Sequence, residues 1–94
     1  MRIIILDEAR DDIGAIERYI RRDSPAAARR VMRELRDRID LLADQQHLGR
    51  NGRWPHTREL VVPPYVIPYQ VRNETVEVLR VLHGTREWPD RPAA

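Results

Sequence analysis

Arg58-Glu59-Leu60-Val61-Val62, Tyr65-Val66-Ile67-Pro68-Tyr69-Gln70-Val71 and Val76-Glu77-Val78-Leu79-Arg80-Val81-Leu82 follow one another with only short breaks. In the middle run, Tyr65, Ile67, Tyr69 and Val71 alternate with Val66, Pro68, Gln70 and Arg72. That period of two is the mark of a strand with two unlike faces. Pro63-Pro64 marks one reversal, and Arg72-Asn73-Glu74-Thr75 is a turn sequence joining two antiparallel strands. Strands are therefore expected at 57–62, 65–72 and 75–82. Pro68 has no amide proton to give, so its amide side must face an edge or a bulge.

Upstream the period changes. Residues 2–6 are a β-branched apolar run, read as a short strand. Asp7 and Glu8 then place acids where a helix begins, which complements its dipole. Ala9, Ile13, Ile16 and Ile20 recur at spacings of four, three and four and share one helical face, with Tyr19 beside them. Ser24 is the expected N-cap of a second helix, with Pro25 in its first turn. Ala28, Val31, Met32, Leu35, Ile39 and Leu42 form its stripe as far as about Asp44. Residues 45–56 lack periodicity and read as a loop, within which Trp54 is either a core anchor or an exposed contact. The order is β-α-α-β-β-β: an α+β domain over 1–88 with a small, mostly antiparallel sheet and a helical hairpin on one face. An irregular tail is expected at 89–94.

Composition narrows the chemistry. The chain has no cysteine, which excludes disulfides and thiolate catalysis. All 17 of its basic residues are arginine, so no lysine is present to move a proton. The apolar run at the N-terminus is too short for a signal peptide or a membrane span, and a cytoplasmic location is expected. Residues 1–46 carry ten arginines and ten acids, whereas 47–58 hold Arg50, Arg53 and Arg58 with no acid. That stretch is either a solvated basic loop or a patch for an acidic peptide or phosphate backbone. His47 and His56 lack metal-ligand spacing, and no metal site or cofactor is expected.

Five segments in this order resemble the RelE/ParE superfamily of bacterial toxins. They are the first helix, with Ala9, Ile13, Ile16 and Tyr19-Ile20; the turn Asp23-Ser24-Pro25-Ala26-Ala27-Ala28; and Gly49-Arg50 followed by Thr57-Arg58-Glu59-Leu60. The sharpest are Tyr65-Val66-Ile67-Pro68-Tyr69 and Leu79-Arg80-Val81-Leu82-His83-Gly84-Thr85-Arg86. The Arg-Val-Leu-His-Gly run, with Trp88-Pro89 shortly after, is most similar to the ParE side. The resemblance implies the toxin of a type II toxin–antitoxin pair that inhibits DNA gyrase by protein–protein binding, without turnover. It also implies a ParD-like antitoxin, with a DNA-binding segment of ribbon-helix-helix type, so that DNA is met only through the antitoxin.

The superfamily's other branch cuts ribosome-bound mRNA, which needs a base, phosphate-binding cations and an acid for the leaving oxygen. Here the candidates are Arg58 and Arg86 for phosphate, Glu59 as base and His83 as acid. Arg80 is a further phosphate candidate. Lysine is absent, no Tyr follows Arg86, and position 66 is Val where some cutters carry Arg. A non-enzymatic toxin is the favoured reading. An mRNA endonuclease and a non-toxic binding module on the same fold are the alternatives. Each residue also has a plain structural role to weigh. His83 can cap a turn, Arg58 or Arg80 can pair with a helix acid, and Glu59 points away from Arg58 on its strand. For antitoxin binding the candidates are Ile13, Ile16, Ile20, Arg50, Arg53, Arg58 and Arg80. For the target they are Arg86 and Trp88, where Trp88 can instead fold back onto the sheet.

Overall fold

In the computed structural model, which describes residues 1–90, Ser24 does cap the second helix: its Oγ accepts from the Ala27 amide at 3.1 Å. The elements run β1 (Arg2–Ile5), α1 (Asp7–Arg21), α2 (Pro25–Asp40), β2 (Arg50–Asn51), β3 (Arg58–Val62), β4 (Tyr65–Arg72), β5 (Thr75–Val78) and β6 (Leu82–His83). A 3-10 turn at Leu41–Ala43 finishes the segment expected to be helical to Asp44. The tail expected at 89–94 lies outside the described residues from position 91 onward.

The sheet has the order β1-β5-β4-β3-β2. Among the described residues only the β1–β5 pair is parallel; β2–β3, β3–β4, β4–β5 and β4–β6 are antiparallel. The α+β architecture with a mostly antiparallel sheet is thus as expected. Two details differ. The loop at 45–56 contains the two-residue strand β2. The strand expected over 75–82 is broken: β5 ends at Val78, and the chain rejoins β4 only at Leu82 and His83.

Pro68 sits at this break. Its carbonyl accepts from the Leu79 amide at 2.9 Å, on the side from which β5 departs. A proline amide cannot complete the ladder there, so the strand bulges out and resumes opposite Tyr65 and Val66.

The period-two face of β4 turns toward the helices. Tyr69, Ile67, Leu60, Val62, Val76 and Val78 meet Ala9 of α1 and Leu35 and Ile39 of α2 in one buried core. Ile13, Ile16, Val31 and Met32 pack against it from the helix side. The stripes read from the sequence are therefore the ones that bury. Tyr69 is fully buried, and its hydroxyl donates to the Gln46 carbonyl at 2.7 Å while accepting from the Gly49 amide at 2.9 Å. A Cβ at residue 49 would lie 2.7 Å from the Tyr69 ring, so glycine is required for this approach. The β4–β5 hairpin turns through Asn73 and Glu74, both with positive φ (53° and 55°), as a two-residue turn of matching twist demands.

Candidate interaction cleft

The second half of α1 and the segment after the β5 break do not close on each other. A cleft of about 580 Å³ lies between them. Ile16, Tyr19 and Ile20 form one wall, and Val81 and Leu82 the other, with Tyr65, His83 and Arg86 on its rim. Tyr19 is 66% exposed, an unusual position for an aromatic ring at the mouth of an apolar groove.

An ion pair joins the two sides of the cleft. Arg80 Nε and Nη2 donate to Asp12 Oδ2 and Oδ1 at 2.7 and 2.9 Å, and the Val81 amide also donates to Oδ2 at 2.9 Å. Glu8 stands 3.9 Å from the same guanidinium. Hydrogen bonding to Asp12 raises the Arg80 pKa above its ordinary value despite partial burial. Arg80, expected as an antitoxin or phosphate contact, is therefore bound to helix acids and fastens α1 to the β5–β6 crossing.

At the rim, the Thr85 amide donates to His83 Nδ1 at 3.3 Å, and the Thr85 hydroxyl lies 2.8 Å from the same nitrogen. His83 thus closes the turn after β6, and its ring stands edge-on to Tyr65 with centroids 6.1 Å apart. Burial raises the Tyr65 pKa, while the positive charge of Arg86 partly opposes that rise. The place of Tyr65 beside His83 and Arg86 depends on β6 returning to pair with the start of β4, which the sequence pattern does not encode.

The other named residues lie elsewhere. Arg58 shares a sheet face with Leu60 and donates to the Gly49 carbonyl at 2.8 Å. Glu59 is 3% exposed on the opposite face. It accepts from Arg50 Nε at 3.1 Å and from the Arg53 amide at 2.8 Å, with Arg53 Nε at 3.5 Å. The stretch 47–58 has no acid of its own, but the β2–β3 register brings one to it by placing Arg50 opposite Glu59. Ile13 is taken up against the core, Ile20 faces the cleft, and Ile16 both packs on the core and lines the cleft. Trp54 is buried, as the anchor reading has it, and Trp88 packs on it with ring centroids 5.5 Å apart. Among the described residues no group of three His, Asp or Glu is arranged to hold a metal ion. Nor is any helix among them long and apolar enough to cross a membrane.

Residues 3–88 match the family model described as "ParE toxin of type II toxin-antitoxin system, parDE". A Sinorhizobium fredii protein named "Putative toxin Y4kP" is 44% identical over 81 residues, covering 84% of this chain and 80% of that protein. Toxin RelE2 of Caulobacter vibrioides is 39% identical over 75 residues, covering 80% of this chain and 85% of its own. A chain solved as "Chromosomal ParDE TA system from P. aeruginosa" is similar in fold, with a TM-score of 0.79 at 23% identity, covering 88% of this chain and 95% of that one.

Proposed function

Since this chain belongs to the ParE toxin family of type II toxin–antitoxin systems, we propose that it inhibits DNA gyrase by binding through the cleft rim, without catalysing a reaction. Membership implies an antitoxin that neutralises it. The observation that carries the non-enzymatic reading is the dispersal of the four residues a nuclease would need. Arg58 and Glu59 lie on opposite faces of β3, each already bonded within the fold, while His83 and Arg86 stand at the cleft. A buried base already bonded to two arginines and an acid at the cleft do not make up one general acid–base site. The apolar walls with a cation at the rim suit a protein surface instead.

Induced expression is expected to stall DNA replication and raise DNA-damage signalling while bulk mRNA stays intact. Purified protein is expected to block supercoiling by gyrase, and His83→Ala to leave that block largely unchanged. A second reading, ribosome-dependent mRNA cleavage, is favoured by the gathering of Tyr65, His83 and Arg86 at one rim. Codon-periodic mRNA cleavage soon after induction, lost in His83→Ala, would establish it and overturn the gyrase reading. The antitoxin is proposed to be ParD-like, with a ribbon-helix-helix DNA-binding part. A short open reading frame of that type beside the toxin frame is the corresponding genetic observation.

A further inference from the structure

Arg86 makes no side-chain hydrogen bond or ion pair among the described residues, yet its place at the cleft rim is bounded on both sides. Before it, the turn after β6 is tied down: the Gly84 amide donates to the Pro64 carbonyl at 2.9 Å, and the Arg86 amide to the His83 carbonyl at 3.1 Å. After it comes Trp88, which lines the same cleft and lies against Trp54. The Arg53 guanidinium sits over the Trp88 ring, 3.5 Å from its centroid. Arg53 is in turn fixed by Glu59, which receives both its backbone amide and its side chain. The Trp88 indole N–H is buried and has no acceptor among the described residues. Among the described residues, stacking on Trp54 and the cation above the ring are the contacts that hold the indole in place.

We propose that Arg53, set by the buried carboxylate of Glu59, clamps Trp88 against Trp54 and so positions Arg86 at the rim of the cleft. Arg53 is then a positioning residue acting through Trp88, not a contact for an acidic partner. The geometry of the clamp stands on its own; its effect on toxicity rests on the reading of the cleft given above.

Trypsin cleaves after arginine, so the bond between Arg86 and Glu87 reports whether the segment is held. In the purified toxin, Arg53→Ala is expected to speed release of the 87–94 fragment roughly five- to tenfold, the opening expected on loss of one cation–π contact. Arg53→Lys, which returns a cation to the ring, is expected to restore most of the protection. Trp88→Ala is expected to release the fragment as readily as Arg53→Ala, and the double variant no faster than either, because the two side chains form one contact. In a Trp54→Phe background, Trp88 is the only indole, and Arg53→Ala is expected to shift its fluorescence to longer wavelength. Unchanged cleavage and fluorescence in Arg53→Ala, or fully multiplicative effects of the two substitutions, would overturn the clamp. Growth inhibition on induction is the functional arm: Arg53→Ala is expected to weaken it and Arg53→Lys to restore it. Full toxicity in Arg53→Ala with the segment demonstrably released would leave the clamp standing and overturn the role of the Arg86 rim.

Discussion

Tyr69 shows how much one side chain can carry in a chain with few aromatics. Burial raises its pKa above 10.0, against the opposing effects of the Gly49 amide bond and the Arg58 charge. The folded state therefore holds the phenol proton to higher pH than the unfolded chain does. Stability from this group is fully present below pH 10 and declines above it, where the unfolded chain ionises first. Tyr65 acts in the same direction. Tyr69→Phe loses both hydrogen bonds of the hydroxyl, at a cost of about 1–3 kcal/mol near neutrality, but its stability should fall less steeply as pH rises past 10. Urea midpoints at neutral and alkaline pH test this; equal alkaline slopes in the two proteins would count against it. The burial of Tyr69 was legible from the alternation of β4. The partners of its hydroxyl were not, because Gln46 and Gly49 lie in a segment with no periodicity to place them. Glu59 is the same case. Its strand face was readable, but its two arginines come from a loop whose register is set only when β2 pairs with β3.

Elements were legible where a period ran long enough. Both helices, the Ser24 cap and the turn at Asn73-Glu74 follow from spacing and turn chemistry. The break in the last strand does not. Val76 to Leu82 is apolar enough to read as one strand, and the interruption depends on Pro68 in the neighbouring strand failing to supply a donor. That break swings Arg80 toward α1, where Asp12 takes it in a bidentate bond that also collects the Val81 amide. The sequence left open whether Arg80 meets a helix acid or a partner. The pair is mostly buried on both sides, with side chains 19% and 16% exposed. Asp12→Ala should therefore destabilise by about 2–3 kcal/mol, somewhat below the range for a fully buried pair broken on one side. Arg80→Ala should cost a similar amount, and the double variant clearly less than the sum. Denaturant melts of the four proteins give the coupling directly; additive losses would mean that α1 is not fastened through this contact.

At the scale of the molecule, the cleft is what a chain of this size leaves unfinished. Domains of about this length bury a smaller share of their surface than larger ones do and are correspondingly marginal. Here the stripe of α1 divides between the core and the cleft, with Ile13 on one side and Ile20 on the other. An antitoxin that fills the cleft should bury roughly 1,500 Å² or more if the pairing is permanent. Binding only the folded toxin, it adds stability by mass action, about 4 kcal/mol at a thousandfold excess over Kd. In a domain this small, each 1 kcal/mol moves Tm by about 4–8 °C, so the toxin's melting temperature should rise by well over ten degrees in the complex. The charges decide how that gain responds to salt. Arg50 and Arg53 share the one carboxylate of Glu59 away from the cleft, and of the two arginines lining the cleft Arg80 is paired with Asp12, which leaves Arg86 as the cation offered at the rim. Added salt should therefore weaken the complex only modestly, and Arg86→Ala should remove most of that dependence, while Arg50→Ala should leave it nearly unchanged. Melting the complex at low and high salt with these two variants separates the possibilities. A salt dependence abolished by Arg50→Ala and untouched by Arg86→Ala would place the antitoxin's acids on the loop rather than at the cleft.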